Sequence, residues 1–339
     1  MPEHRLFARL RAGRARVMPT GRVPARTVAP EVRVPLASLF RPFARRAACA
    51  LVLALSCLLP HPAAADILTD RTAPSPGIAG GLDYSVYVPP GSDAAGPLPV
   101  IVLLHGLGAS AREWIGAVGI EEIADRLIAA GDMPPTLIVM PNAGRSWYVD
   151  SARYDGPGDY ETAIARDLLA HVDTEFSTRG EGQRAIAGYS MGGHGALRLA
   201  FRHPDTFAAV GALAPAIWKP GGVSERGAPT NRLSAEQRAA WFPNTTGRQF
   251  DPDVLQAQSP FAEVAALADL PAPPAVMLAV GDEDYFEFHD GTLEMYLDLR
   301  RIGRDPELRV IEGGHDPAFI RAVIGDVLIF LSDAMAADG

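Results

Sequence analysis

Apolar positions along the 339 residues fall into short blocks that alternate between two periods. Val100 to Leu104 is an unbroken apolar run, which predicts a strand buried on both faces. Thr136 to Met140, Arg184 to Tyr189, Phe207 to Ala214, Ala275 to Val280 and Leu308 to Ile311 are read as further strands. Leu82 to Val88 alternates and stops at Pro89-Pro90, the pattern of an edge strand. Helical spacing runs through Ile120 to Ala130, which stops at Gly131, through Asp159 to Glu175, and through residues near 290–302 and 317–335. Strand and helix alternate throughout. This order predicts an α/β fold, a mostly parallel central sheet with helices on both faces and ligands at the carboxyl ends of the strands. The polar stretch Asp66 to Gly81, with Pro74 and Pro76, is expected to be an extended lead-in. Residues 216–262 interrupt the rhythm with Trp218, Trp241 and Phe242, and are expected to form a lid-like insertion, because exposed aromatic rings in a loop are costly unless they cover something.

The first 65 residues differ from the rest. Eleven arginines, ending at Arg45-Arg46, stand against only Glu3 and Glu31. An apolar run from Ala47 to Leu59 follows, then Pro60-His61-Pro62-Ala63-Ala64-Ala65. A basic region, a short apolar core and an A-x-A site predict a secretory leader over residues 1–65, cleaved before Asp66, and a catalytic domain over 66–339 that is secreted or periplasmic. Cleavage would take 11 of the 31 basic residues and 2 of the 40 acidic ones, leaving 20 against 38, a formal charge of −18. Such a surface repels nucleic acid and anionic lipid, so neither is an expected partner, and stable membrane insertion of the mature domain is not expected. Both cysteines, Cys49 and Cys57, fall in the leader, so neither a disulfide nor a thiolate site is expected in the mature domain.

The chemistry centres on Gly188-Tyr189-Ser190-Met191-Gly192, which follows one predicted strand and opens a helix. A strand, a sharp turn and a helix hold the central serine hydroxyl exposed at a helix N-terminus, where unpaired N–H groups can receive negative charge. Ser190 is therefore the candidate nucleophile, and it needs a histidine base oriented by a carboxylate. Six histidines lie beyond residue 65. His171 and His203 belong to helices, His194 lies along the serine's own helix, His105 belongs to a strand-end turn and His289 opens a helix. His315, in Glu312-Gly313-Gly314-His315-Asp316 after a strand, is placed to swing over the sheet edge. In Gly281-Asp282-Glu283-Asp284 the last acid points back toward the sheet, which selects Asp284, with Asp282 its rival. The order Ser190, Asp284, His315 is that of α/β-hydrolases. The oxyanion donors are expected to be the backbone N–H groups of Met191 and of Leu107 in the turn His105-Gly106-Leu107-Gly108. No cofactor or metal is required by this chemistry.

Taken together, Gly188-Tyr189-Ser190-Met191-Gly192-Gly193, His105-Gly106-Leu107, Ser146-Trp147-Tyr148-Val149-Asp150-Ser151, Tyr160-Glu161-Thr162 and Gly313-Gly314-His315-Asp316 resemble the esterase D family of α/β-hydrolases over residues 82–333. Its members include S-formylglutathione hydrolases, feruloyl and acetyl-xylan esterases and antigen 85 mycolyltransferases. The resemblance implies the triad Ser190, Asp284 and His315, the donors Leu107 and Met191, and a pocket wall formed by Trp147 and Tyr148, to which Trp114 is added. The chain departs from the mycolyltransferases at Gly108, where they carry an arginine, and its leader sets it apart from the cytosolic formylglutathione hydrolases. The expected activity is exported serine carboxylic-ester hydrolysis on a small-molecule or glycan-linked ester, with acyl transfer to a sugar or glycerol hydroxyl as the alternative.

Overall fold

The computed structural model describes residues 65–337. The leader expectation, with Arg45-Arg46 and both cysteines, falls outside the described residues. Eight strands are present among those described: β1 (Asp66–Ala73), β2 (Leu82–Val88), β3 (Val100–Leu104), β4 (Leu137–Pro141), β5 (Arg184–Tyr189), β6 (Ala209–Leu213), β7 (Ala275–Gly281) and β8 (Glu307–Ile311). They form one sheet in the order β1-β2-β4-β3-β5-β6-β7-β8. The pairs from β4 through β8 are parallel, and β1 with β2 and β2 with β4 are antiparallel.

Two expectations are corrected here. The stretch from Asp66 is not merely a lead-in, because Asp66–Ala73 is the edge strand of the sheet. Consequently β2 is an interior strand between β1 and β4. The edge strand can be polar because water satisfies its outer side, and its register is irregular between Leu68 and Arg71, where Asp70 has φ 56°.

The central strands are apolar on both faces because helices cover both. Val100, Val102 and Leu104 of β3 pack into one core, and Ile101 and Leu103 pack into the other. The first core takes Ile164, Leu168 and Leu169 from α2, the helical run Tyr160–Thr162, Ala163–Leu168 and Leu169–Glu175. It also takes Leu197 and Phe201 from α3 (Met191–Arg202) and Met295 and Leu299 from α4 (Phe288–Arg301). The second core takes Ile120, Ile123 and Leu127 from α1 (Ile120–Ala130) and Ile320, Ile324 and Leu328 from α5 (Pro317–Ala337). Each of these side chains, fully buried, contributes roughly 1.5–3 kcal/mol relative to exposure. The middle of α2, Ala163–Leu168, has π geometry, a widening that the side-chain spacing does not announce. No helix of the described residues is long and apolar enough to cross a membrane.

A buried ion cluster ties α2 to the serine's helix. Glu161 accepts from Arg198 at 2.8 Å and from Arg202 at 2.7 Å, with the His203 ring nitrogen at 3.2 Å. Burial alone would raise the Glu161 pKa, but the hydrogen bond to His203 and the two guanidiniums outweigh it and bring it to about 2. A carboxyl that ionises more readily folded than unfolded stabilises the fold fully above its unfolded pKa of about 4.3, and that stabilisation is lost as pH falls toward 2. Glu161→Gln is therefore expected to cost about 3 kcal/mol in urea denaturation at pH 7, because the buried Arg198 loses its nearest carboxylate and keeps only Glu263 at 3.8 Å. The gap between variant and wild type should narrow below pH 4, and a gap independent of pH would contradict the cluster's ionic character.

Candidate active site

The site sits at the carboxyl ends of β3, β5, β7 and β8. Ser190 follows β5 directly, with φ 58° and ψ −116°, a backbone shape that non-glycine residues rarely adopt. The surrounding hydrogen bonds hold it there: its N–H donates to the Leu213 carbonyl, and its carbonyl accepts from His194 and Ala216. The flanking glycines are required by contact. A Cβ on Gly188 would stand 2.2 Å from the Gly192 carbonyl oxygen, and one on Gly192 would stand 2.1 Å from that of Leu104.

The structure brings Ser190, His315 and Asp284 into one line. His315 Nε2 lies 2.9 Å from Ser190 Oγ, and His315 Nδ1 lies 2.8 Å from Asp284 Oδ2. Asp284 follows β7 and is buried; its other oxygen accepts from the Phe286 N–H at 2.9 Å. The rival Asp282 instead accepts from the Gly313 N–H at 3.1 Å, so it braces the loop that carries His315. The remaining histidines are engaged elsewhere. His171 meets the Tyr84 ring edge-on, His203 is held by Glu161, and His289 lies beside Asp290. His194 is buried against Trp147, and burial and the nearby Arg198 lower its pKa to about 3, which keeps it neutral.

His315 sits in an aromatic box. Tyr189 stacks on it at 4.6 Å, while Phe286, Phe288 and Tyr285 meet it edge-on at 4.9, 5.1 and 5.9 Å. The Tyr285 hydroxyl also donates to the His315 carbonyl at 3.2 Å. These rings leave the imidazole little freedom other than the orientation that joins serine and carboxylate.

The two expected oxyanion residues, Leu107 and Met191, line the same cavity as Ser190. Met191 opens α3, where a helix offers its first N–H groups no internal acceptor. Leu107 lies in the turn after β3, and its N–H has no acceptor among the described residues. His105 braces that turn. Its Nδ1 lies 2.7 Å from the Gly106 carbonyl, and Nε2 accepts from the Ala143 N–H at 2.8 Å. Burial lowers its pKa to about 4, so the ring stays neutral and keeps one donor and one acceptor at neutral pH.

A cavity of about 500 Å³ opens over Ser190. Trp147 lines it, in a left-handed backbone conformation (φ 54°). The expected positions of Tyr148 and Trp114 are corrected, since neither lines this cavity. Tyr148 is wholly buried, with its hydroxyl donating to the His105 carbonyl at 2.8 Å, and Trp114 is wholly buried in the second core. An apolar ring suits a core and a pocket wall equally, so composition does not separate the two. The wall is completed by Trp241, Tyr285, Phe286 and Phe288, and by Glu113. Trp241 stood out in the sequence as an aromatic within the insertion, whereas Glu113 carried no signal, because an acid after Ala111-Arg112 reads as a solvated charge. Among the described residues, no three His, Cys, Asp or Glu side chains come together as metal ligands.

Known proteins share this fold. The family model described as "Putative esterase" matches residues 75–289. Esterase MT1326 of Mycobacterium tuberculosis is 36% identical over 114 residues, a match that covers 32% of this chain and only 24% of that relative. The structure resembles a ferulic acid esterase at 27% identity with a TM-score of 0.60, covering 80% of this chain and 99% of the other. It also resembles MPT51 of Mycobacterium tuberculosis at 17% identity with a TM-score of 0.62, covering 78% and 98%. A mostly parallel sheet, a serine on a strained turn between strand and helix, and a family match over well over half of its length agree on one assignment: the chain belongs to the esterase family and has the α/β-hydrolase fold.

Proposed function

We propose that this protein is an exported serine carboxylic-ester hydrolase that works through an acyl-enzyme. The observation that carries the reading is the continuous hydrogen-bonded line from Asp284 through His315 to Ser190. Ser190 Oγ attacks the ester carbonyl carbon while its proton passes to His315 Nε2. Asp284 accepts from Nδ1–H, fixing the tautomer and offsetting the charge of the imidazolium. The N–H groups of Leu107 and Met191 receive the oxyanion, where the loss of one such donor typically costs about 3 kcal/mol. Collapse of the intermediate expels the alcohol, which takes the proton from Nε2. Water then repeats the cycle on the acyl-enzyme and releases the acid. Export rests on the leader composition of residues 1–65.

Residues 216–262 act in this reading as a partial lid. They supply Ala216 and Trp241 to the cavity wall, the Trp241 carbonyl accepts from Trp147 Nε1 at 2.8 Å, and Phe242 stacks on Trp147 at 4.5 Å. The aromatic wall favours an acyl group with a flat apolar body, the chemical class of the aromatic acid named for the structural relative. The test is labelling with an alkyl fluorophosphonate, followed by hydrolysis of p-nitrophenyl esters from acetate to palmitate and of an aryl-propenoate methyl ester, with and without glycerol. The expected result is a single adduct on the Ser190 peptide and a preference for aryl over long-chain acyl groups. An unlabelled Ser190 with no turnover of any ester would refute hydrolysis, and product release accelerated by glycerol would turn the reading toward acyl transfer.

A further inference from the structure

The reaction outlined above gives no part to Glu113, yet this carboxyl lines the same cavity as Ser190. It follows the turn after β3, and its Oε2 accepts from the Gly106 N–H at 2.7 Å. That bond joins it to the peptide next to Leu107, one of the two oxyanion donors. Its second oxygen, Oε1, has no hydrogen-bond partner among the described residues and does not count among their sealed, unpaired polar atoms. One oxygen is thus anchored while the other remains open to a bound molecule. We propose that Glu113 is a specificity residue, which takes a hydrogen bond from a hydroxyl or ammonium group on the bound ester and turns away esters carrying an anionic group. The inference rests on the serine-esterase reading and adds to it the chemical class of substrate.

The charge balance of the cavity supports this assignment. Among the described residues, Glu113 and Asp316 are its acids, His315 is its only ionisable base, and no lysine or arginine lines it. Arg145 packs against Gly108 and donates to the Ala240 carbonyl, outside the lining. The groups interacting with Glu113 from neighbouring elements are the Gly106 N–H, His315, and the hydroxyls of Tyr148 and Tyr189. Burial raises both tyrosine pKa values, so these hydroxyls stay neutral, and Tyr148 already spends its proton on the His105 carbonyl. A substrate anion would therefore meet one or two like charges in a partly desolvated space with no cation to compensate. A donor would find in Oε1 an acceptor already oriented by the bond from Gly106. Burial also raises the Glu113 pKa against the opposing Gly106 N–H bond, so lowering the pH protonates it and weakens the discrimination.

The experiment compares kcat/KM for four methyl 3-phenylpropanoates differing only at the para position: methoxy, hydroxyl, aminomethyl and carboxylate. Wild type is expected to favour the hydroxyl and aminomethyl esters and to disfavour the carboxylate ester at least about tenfold against methoxy at pH 8. In Glu113→Gln, the carboxylate penalty and the aminomethyl preference should both collapse to about twofold or less. The readout is the ratio between substrates, which a merely structural substitution would not change selectively. Wild type alone provides a second measurement, in which the carboxylate penalty should be smaller at pH 5.5 than at pH 8 and should shrink in high salt. Equal ratios in variant and wild type, or a wild-type ratio near one at every pH, would overturn the assignment while leaving the esterase reading intact. If wild type hydrolysed none of the four esters, nor any p-nitrophenyl ester, the esterase reading would fail and this inference with it.

Discussion

Ester hydrolysis by Ser190→Ala is expected to fall by about 10⁵ to 10⁶, to the level left by the oxyanion donors and the pocket alone. The magnitude follows from the removal of the only attacking atom, and His315→Ala should cost about as much, because without a base the hydroxyl remains a weak nucleophile. The double variant should be no slower than either single one, since the two groups act as a unit. Asp284→Asn is expected to lose about 10⁴, because an amide that donates toward Nδ1 favours the wrong imidazole tautomer. Asp282→Asn should lose far less, since that carboxylate bonds the Gly313 N–H and lies outside the line through His315. Initial rates with p-nitrophenyl butyrate, alongside near-ultraviolet circular dichroism to confirm folding, check the whole set. Near-normal activity in Asp284→Asn with a collapse in Asp282→Asn would reassign the carboxylate.

Gly192→Ala is expected to destabilise the protein by about 3 kcal/mol or more, a large effect for one methyl group. Its Cβ would fall 2.1 Å from the Leu104 carbonyl oxygen, 2.6 Å from the Leu104 carbonyl carbon and 2.8 Å from the His105 carbonyl oxygen. All three are backbone atoms of β3 and its turn, so no side chain can rotate away. Relief would require the serine's helix to lift from the strand that carries the oxyanion turn, and activity should fall together with stability. Gly325→Ala in α5 is the control, because a Cβ there meets nothing within 4 Å and an alanine in a helix interior gains about 1 kcal/mol. Urea denaturation separates the two cases, and equal stabilities would contradict the close-approach account.

The strands that carry the site were legible because they are buried on both faces, which forces nearly unbroken apolar runs of about five residues. The edge strand β1 was not, since half its positions face water and its residues are those of a polar connection. The demotion of β2 to an edge followed from its alternation, a pattern that an interior antiparallel strand shares. Ser190 was legible because the elbow needs small residues on both sides of it, a local demand written in consecutive positions. Asp284 and His315 could be placed by their turns after strands, but only the folded chain brings them within 3 Å of their partners.

The sequence by itself determined the alternating layers, the strained serine turn and the small set of residues able to serve it, because strand burial, helix spacing and turn sterics act between near neighbours. Tertiary structure decided which acid meets the histidine and that Trp114 and Tyr148 belong to the core while Trp147, Trp241 and Phe286 face the cavity. It also decided that Glu113 lines the serine's cavity, held by a 2.7 Å bond from a backbone N–H seven residues earlier. These outcomes depend on where loops from four strand ends converge. Side-chain type carries no record of that convergence, since an aromatic ring gains similar free energy in a core or a pocket wall, and a carboxylate is equally soluble in either of two loop positions.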